Sequence, residues 1–530
     1  MIMRKLTVLI IWFWAMLGVV GCIDDQTTGP HIEISEITIT MEDSLYFSSP
    51  NQRFVLDGNK MVSQTNPDLP LEFTWQGGLE IPTTNGGVTV DSLKILSNEP
   101  VLEHAFRDFG TYRMRLKVSN GQMAEFKYFW VVVGSEFDEG LVVLSKNEAG
   151  EGMFSMLNTE LKADKLLEKT EEDFLYLTAA DAPVLKEDIL DFNLCAGRAY
   201  YVPRENYFYL LTRESGAYYL DQYSLNPIGD PVQFSKPAKM LSLHYHNPTF
   251  DLFAFTEDGD VISHCLKYNM EIPRAAFDGI HHWDRAKVLK MKIDPTWAKA
   301  AYRDVLLLMD DKTSTLYGMM LDESNKQKNS WWGPIHYDGY EIVSLGYYCA
   351  KWYYELAVLC RSKENPTAYK KFTYTNVFYG DNWFSDEKLA SEGEAVLNEP
   401  VIDWDSKVLD CRTKGCMIYL YKNKLTCWYP GDKQFPIGPN YPASQKLFDV
   451  CQHGYSADTE VIDMDLDVSH KYIYLAVYDP NDSNEMKGSI VVVNAIDFSL
   501  VKEYKNVCHR PMKIFYKPNK KRTSYEEPFT

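Results

Sequence analysis

The chain between residues 35 and 135 alternates apolar and polar positions in short runs that are separated by turn residues. In the run TYRMRLKVS the apolar residues take every second position, at Tyr112, Met114, Leu116 and Val118. The positions between them are polar or charged, at Thr111, Arg113, Arg115 and Lys117. A period of two is typical of a strand with one buried face. About a hundred residues of such strands predict a β-sandwich over residues 35–135.

From residue 136 onward the pattern becomes a repeat, in which one strand leads through a short gap into a second, more apolar strand. The second strands are predicted to start near positions 141, 207, 252, 305, 356, 416 and 472. Their spacing of about 55 residues is slightly above the ~40–50 residues of a four-stranded propeller blade. The fold class is therefore predicted as all-β, with a seven-bladed β-propeller over residues 136–518. The alternative is a longer array of β-sandwiches.

The first repeat, LVVLSKNEAGEGMFSML, lacks a preceding strand. The C-terminal segment HRPMKIFYKP is predicted to supply that strand, because its apolar spacing is similar to that of KPAKMLSLHY near residue 240. Such pairing would cover an open sheet edge. Residues 519–530 are predicted to form a polar tail.

The N-terminus has the pattern of a secretory signal. Arg4 and Lys5 precede the apolar run Leu6 to Val20, which is short for a membrane-spanning helix. The alternative is a core cysteine near the end of one membrane helix. The end of the run, VVGC, resembles the bacterial lipobox, and this implies cleavage after residue 21 and lipidation of Cys22. Residues 22–34 are predicted to be an acidic tether. The two acids shortly after Cys22, Asp24 and Asp25, resemble the export signal of surface lipoproteins in Bacteroidetes. The expected location is therefore the outer face of the outer membrane.

Charge and cysteine content narrow the function classes. The formal net charge is −20, and an acidic chain repels nucleic acid and anionic headgroups, so no nucleic-acid partner is expected. Ten cysteines include Cys22, and the remaining nine are an odd number. Several, such as Cys360 and Cys416, lie within apolar strand patterns, where a buried free thiol is expected. No metal or cofactor site is predicted, because the C-x4-C pair at Cys411 has no partner pair at zinc-finger spacing.

A search for catalytic motifs finds no H-E-x-x-H, G-x-S-x-G or glycine-rich phosphate loop. Paired acids recur at one place in two repeats, at Asp403, Asp405, Asp463 and Asp465. We expect surface acids or turn formers, and the alternative is a channel lining or a calcium site. Two adjacent histidines, His281 and His282, point to opposite faces of a strand, so a shared ion is not expected.

Two aromatic segments are candidate contact surfaces for a ligand or a partner. The first, SWWGPIHYDGY, holds Trp331, Trp332, Tyr337 and Tyr340. The second, VFYGDNWFSD, holds Tyr379, Trp383 and Phe384. The alternative is that these side chains fill the spaces between blades.

The segment near residue 106 resembles the PKD domain, an Ig-like module that serves as a spacer or a binding unit. The resemblance rests on a late motif with Phe106, Gly110, Tyr112, Leu116, Val118 and Asn120. The chain departs from the family after the tryptophan strand, where Gln76-Gly77-Gly78 replaces the usual acidic-glycine turn.

The order of lipobox, acidic tether, PKD-like domain and large β domain resembles the PKD-like family of Bacteroidetes surface lipoproteins. That resemblance implies an accessory subunit of an importer, with a SusC-like TonB-dependent transporter and a SusD-like lipoprotein as partners. Its cargo would be oligopeptides or glycans. The residues themselves favour a tethered, non-enzymatic binding or docking module. The alternative is a propeller enzyme, a lyase, glycosidase or peptidase, that acts on an extracellular polymer.

Overall fold

The computed structural model describes the chain from residue 34 to residue 517 with internal gaps. The described ranges are 34–82, 88–90, 92–135, 137, 139–159, 163–196, 206–246, 249–265, 270–271, 285–292, 302–321, 331–350, 353–375, 388–397, 400–403, 406–411, 416–428, 448–467 and 470–517. Strands dominate these ranges, and the helical segments are at most six residues long. None of the helices in these ranges has the length and apolar character that a membrane crossing requires.

The N-terminal unit consists of ten strands and one helical turn, Gly58–Met61. The strands are β1 (Ile37–Ile39), β2 (Leu45–Ser48), β3 (Arg53–Asp57), β4 (Val62–Gln64), β5 (Glu72–Pro82), β6 (Val88–Val90), β7 (Lys94–Ser97), β8 (Val101–Ala105), β9 (Gly110–Ser119) and β10 (Ala124–Val133). The largest sheet has the order β2-β10-β9-β5-β6, and β7 also pairs with β5. The pairs β1-β4 and β3-β8 form two further small sheets.

One apolar cluster lies between these layers. Trp75, Leu116 and Phe129 of the large sheet are fully buried in it, and Phe54 and Leu102 pack against them from the small sheet β3-β8. The alternation predicted for β9 is confirmed, because its even-numbered residues from position 114 to position 118 are buried and the residues between them are only partly buried. Strand β9 thus packs one face against the core of this unit and leaves the other face outside it.

The strands that follow residue 139 form seven separate sheets within the described ranges. They are β11 (Gly140–Lys146), β12 (Gly152–Asn158), β13 (Leu175–Thr178), β14 (Ile189–Ala196), β15 (Asn206–Thr212), β16 (Gly216–Leu220), β17 (Ala238–His246), β18 (Thr249–Thr256), β19 (Val261–Cys265), β20 (Met270–Glu271), β21 (Arg285–Lys292), β22 (Tyr302–Asp310), β23 (Thr315–Leu321), β24 (Trp331–His336), β25 (Tyr340–Ala350), β26 (Tyr353–Ser362), β27 (Ala368–Thr375), β28 (Lys388–Val396), β29 (Lys407–Cys411), β30 (Cys416–Tyr421), β31 (Lys424–Trp428), β32 (Phe448–Asp449), β33 (Glu460–Leu466), β34 (Tyr472–Tyr478), β35 (Gly488–Asn494), β36 (Leu500–Cys508) and β37 (Arg510–Lys517).

We number the sheets along the chain. Sheet 1 has the order β13-β12-β11-β37, and sheet 2 is β14-β15-β16. Sheets 3 to 7 are the consecutive four-stranded groups that begin with β17, β21, β25, β29 and β33. In sheets 2 to 7 the first strand along the chain lies at one edge, and β37 takes that edge in sheet 1. We call these seven edge strands the leading strands.

The pairing predicted for the C-terminal segment is confirmed, because β37 runs antiparallel to β11 from Arg510 to Lys517. Each predicted second strand also lies in an observed one, from β11, which begins at Gly140, to β34, which begins at Tyr472. Sequence periodicity therefore located these strands to within a few residues. A 3-10 turn, Pro183–Lys186, precedes β14.

Apolar clusters join consecutive sheets. In β11, Leu141 and Val143 pack toward sheet 7, whereas Val142 and Leu144 pack toward sheet 2. Further clusters join sheets 2 and 3, 4 and 5, 5 and 6, and 6 and 7. A strand that is buried on both faces reads as a continuous apolar run, and this explains the run LVVL in β11.

Five cysteines in the described ranges are free thiols: Cys265, Cys360, Cys427, Cys451 and Cys508. All except Cys451 are buried. The expectation for Cys360 is thus confirmed, whereas the side chain of Cys416 lies outside what the structure describes.

Candidate functional site

Part of the first aromatic segment lies in the core and not at the surface. Tyr337 is buried in the cluster between sheets 4 and 5, with its hydroxyl oxygen 3.0 Å from that of Tyr374. Tyr340 is partly buried and packs against Phe372 in the same cluster, with ring centroids 6.4 Å apart. The prediction that Tyr337 forms a contact surface is therefore wrong, because its ring fills the space between two sheets.

The remaining predicted contact residues fall outside the described side chains. Trp331 and Trp332 begin β24, and for these two residues the structure describes only the backbone. Tyr379, Trp383 and Phe384 lie in the gap 376–387, and Cys22 precedes the first described residue. The histidine pair at His281 also lies in a gap.

The paired acids divide into two kinds. Asp403 forms a turn as expected, since its carboxylate accepts the hydroxyl of Ser406 at 2.9 Å. Asp405 lies outside the described ranges. Asp463 and Asp465 lie within β33, and Asp463 is only 8% exposed. For these two the expectation of surface acids or turn formers is wrong.

The carboxylates of Asp463 and Asp465 bind the backbone of the neighbouring leading strand. Oδ2 of Asp463 accepts the N–H of Ile514 at 3.0 Å, and Oδ2 of Asp465 accepts that of Tyr516 at 2.7 Å. A sheet edge leaves backbone N–H groups without a ladder partner, and burying them unpaired is costly. The two acids therefore satisfy donors on β37.

The same kind of contact recurs between sheets 2 and 3. Oδ2 of Asp191 in β14 accepts the N–H of Leu241 in β17 at 2.9 Å, and Nδ2 of Asn193 donates to the carbonyl of Leu241 at 2.9 Å. Sequence reasoning missed Asp191. The signal was present, because Ile189-Leu190-Asp191 repeats the apolar-apolar-acid pattern of Val461-Ile462-Asp463.

A β-bulge explains why these side chains lie at equivalent places. In five of the seven leading strands, the ladder to the neighbouring strand skips one residue. These strands are β14, β17, β25, β33 and β37. A bulge turns the residues that follow it toward a new direction. The residues immediately after the skipped one include Asp191, Asp463 and Lys513, from sheets 2, 7 and 1.

Lys513 thus lies between two carboxylates. Its Nζ is 3.5 Å from Oδ1 of Asp191, which is 5% exposed. Burial lowers the pKa of Lys513, but the attraction of Asp191 and Asp463 outweighs it, so the pKa of the ammonium is raised. We call Asp191, Asp463, Asp465 and Lys513 the leading-strand cluster.

Two carboxyls of this cluster, those of Asp463 and Asp465, have raised pKa values, which favour their neutral form. Burial raises the pKa of Asp463, and Lys513, Lys407 and the N–H of Ile514 offset only part of that rise. Burial also raises the pKa of Asp465 to about 7, against the N–H donors that bind its oxygens. Desolvation of the charged form is the dominant cause in both cases.

A second set of buried polar contacts holds the C-terminal end of β37 in place. The hydroxyl of Tyr516 donates to Oε1 of Glu139 at 2.7 Å and lies 3.3 Å from the hydroxyl of Thr159. Nζ of Lys517, which is fully buried, donates to the carbonyl of Phe137 at 2.6 Å. Charged groups at this depth are retained only when they are paired, so these contacts fix one position for the strand.

In chemical terms, the leading-strand cluster holds strands together. Its carboxylate oxygens accept backbone N–H groups, and its one ammonium attracts Asp191 and Asp463. Within the ranges that the structure describes, no three His, Cys, Asp or Glu side chains are grouped so as to hold a metal ion.

Comparison with known proteins gives likenesses to solved structures alone, because no family model and no curated protein matches the chain. A quinoprotein alcohol dehydrogenase-like protein from Bacteroides thetaiotaomicron is similar at 12% identity and a TM-score of 0.41, over 91% of this chain and 99% of that one. The β-propeller domain of Cps50 (Swd1) from Myceliophteria thermophila is similar at 8% identity and a TM-score of 0.34, over 56% of this chain and 83% of that one. Saccharomyces cerevisiae Sqt1 gives 10% identity and a TM-score of 0.34, over 60% of this chain and 76% of that one. The chain is an all-β protein, and β-propellers are among its structural neighbours.

Proposed function

We propose that the chain is a lipid-anchored protein of the outer membrane that binds or docks without catalysing a reaction. In this proposal a PKD/Ig-like sandwich carries a seven-bladed β-propeller, and the whole acts as an accessory subunit of a SusC/SusD-type TonB-dependent importer. One observation carries the choice of a scaffold over an enzyme. The buried acids of the leading-strand cluster bind the backbone of the adjacent strand through their oxygens, and this is a structural use of titratable groups.

Sheet order and packing support the propeller. Sheet 7 and sheet 1 share an apolar cluster, in which Tyr474 and Val492 of sheet 7 meet Leu141 of sheet 1. Sheet 1 is itself built from both ends of this region, because β37 completes it. Contact between the last and the first sheet is the arrangement of a closed ring, and closure removes exposed strand edges.

The N-terminal motif supports the Ig-like assignment. The hydroxyl of Tyr112 donates to the carbonyl of Asp108 at 3.3 Å, and its ring packs on Phe106 with centroids 4.6 Å apart. A tyrosine that binds back to the chain just upstream is a feature of Ig-like sandwiches. Trp75 is fully buried, as a core tryptophan of such a fold would be, and its Nε1 donates to the carbonyl of Glu99 at 2.9 Å.

The proposed role has a direct biochemical test. The full chain, tagged at its C-terminus, is purified from detergent-solubilised outer membranes, and the proteins that copurify are identified by mass spectrometry. We expect a TonB-dependent transporter and a second lipoprotein in near-stoichiometric amounts. Recovery of the chain alone would refute the importer role.

The anchor is tested separately with Cys22→Ala. A single lipidated residue that carries several acyl chains accounts for stable attachment. We therefore expect the unmodified chain in the membrane fraction and the variant in the soluble fraction. A variant that still sediments with the membrane would refute the anchor.

A further inference from the structure

The outer face of the large sheet in the N-terminal unit carries a regular pattern of side chains. Strands β9 and β10 are antiparallel. At every second position along them, three cross-strand pairs place an aromatic residue opposite a cation. The pairs are Phe126 with Lys117, Tyr128 with Arg115, and Trp130 with Arg113. We call these six residues the aromatic–cation ladder. Its rungs are two residues apart, which is about 7 Å along a strand.

Alternation puts the ladder on the face opposite the core. Three of the intervening residues, Met114, Leu116 and Phe129, are fully buried in the apolar cluster of the unit, whereas Lys127 near the end of the ladder is exposed. The ladder residues face away from that cluster, and Phe126 and Tyr128 remain 44% and 48% exposed. Large aromatic side chains that are this exposed and adjacent mark an interaction surface.

Contacts within the ladder hold its side chains in place. The guanidinium of Arg115 lies 5.4 Å from the ring centroid of Phe126, and its Nε donates to Oε1 of Gln76 at 2.8 Å. Glu80 accepts Nε1 of Trp130 at 2.9 Å and lies 3.5 Å from Arg113. Side chains that are already ordered lose less entropy when a ligand binds.

The charge of the ladder is opposite to that of the chain. The whole chain carries −20, whereas the outward positions of β9 are two arginines and one lysine. At physiological ionic strength the field of remote acids is screened beyond about 8 Å. Glu80 also lies at the ladder, 3.5 Å from Arg113. A bound ligand therefore meets three cations and this one carboxylate, and a ligand with spaced negative groups complements the net positive charge.

We propose that the aromatic–cation ladder binds an acidic glycan whose sugars carry carboxylate groups. Aromatic rings offer flat apolar surfaces for the rings of sugars, and guanidinium and ammonium groups bind carboxylates. Single-stranded RNA also offers phosphates and bases that stack on aromatic rings, so it is the competing ligand that the test must separate from a glycan. This site lies outside the propeller and does not depend on the proposed importer role.

The test uses the full chain and hyaluronan oligosaccharides, which alternate glucuronate with N-acetylglucosamine. Binding is measured by calorimetry at 0.15 M and 0.5 M NaCl. We expect binding that weakens at high salt and a loss of at least fivefold in affinity for Tyr128→Ala and for Lys117→Ala. Both side chains are at the surface, so the thermal midpoint of each variant should stay unchanged.

Two substitutions serve as matched controls outside the ladder. Tyr176 is an exposed tyrosine of β13, and Arg53 is an exposed cation on β3, so alanine at either position should leave binding unchanged. Absence of binding, equal binding by the ladder variants, or equal binding of neutral dextran would overturn the proposal. Tighter binding of single-stranded RNA would overturn the assignment to a glycan. None of these results bears on copurification of importer subunits, so the two proposals fail separately.

Discussion

Replacing Asp465 by asparagine tests whether a charged carboxylate is costly at the contact between sheets 7 and 1. Burial raises the pKa of this group to about 7, and Asp463 adds to the rise. The N–H groups of Tyr516 and Leu466 and the charge of His470 act in the opposite direction. The folded chain therefore holds a proton at Asp465 up to a pH at which the unfolded chain has lost it.

The sign of the pH dependence follows from that difference. An unfolded aspartate ionises near pH 3.9, so between pH 4 and pH 7 the unfolded state releases its proton first. The free energy of unfolding must then fall as the pH rises through this window. A shift of about three pH units corresponds to about 4 kcal/mol above pH 7, and this is an upper limit because Asp465 keeps some contact with solvent.

Asparagine removes the charge and keeps an oxygen that can accept the N–H of Tyr516. It also buries an amide group whose lost hydration costs about 1–3 kcal/mol. We expect Asp465→Asn to raise the free energy of unfolding by about 1–3 kcal/mol at pH 8, and to give no gain at pH 4. The measurement is urea denaturation, followed by circular dichroism, at a series of pH values between 4 and 8.

Asp465→Ala is the matched control, because it removes the charge and the acceptor together. It should be less stable than Asp465→Asn by about 1–3 kcal/mol, since the buried N–H of Tyr516 loses its partner. If the stability difference between Asp465→Asn and the unmodified chain were the same at pH 4 and pH 8, the reasoning would be refuted.

Three further predictions concern the same region. Lys513→Met leaves two buried carboxylates without their cation, so we expect a loss of about 1–3 kcal/mol that is larger at pH 8 than at pH 4, measured by the same denaturation. Leu475→Ala, in the cluster between sheets 6 and 7, should cost about 2–5 kcal/mol, and a loss below 1 kcal/mol would contradict that packing. Burial raises the pKa of the Cys508 thiol, so iodoacetamide should leave Cys508 unmodified in the folded chain at pH 8 and alkylate it in urea, as read by peptide mass spectrometry.

The strands were predictable because both kinds of burial leave a pattern in the sequence. In β9, burial of one face leaves an alternation that includes Met114 and Leu116. In β11 and β34, burial of both faces leaves apolar runs. Each pattern is local and needs no knowledge of the partner strand.

The roles of Tyr337 and Asp463 were not predictable in the same way. An aromatic residue in a polar-looking segment has the same local signature whether it lies on a loop or fills a gap between sheets. An acid in a strand looks like a surface residue unless the unpaired N–H of Ile514, some 51 positions away, is known to need an acceptor. Both roles are decided by pairing between distant segments, and the sequence around each residue does not record that pairing.

Completion of sheet 1 by β37 has a consequence for the order in which the molecule assembles. Strand β11 is synthesised long before its neighbour β37, because the contacting residues Glu139 and Tyr516 are 377 positions apart. Such a distant pairing is slow to find, since loop-closure entropy must be overcome before any contact offsets it. Until then β11 keeps an open edge that can capture another strand. Maturation therefore cannot finish from the N-terminus onward, and a chain that ends before β37 would remain incomplete at its first sheet.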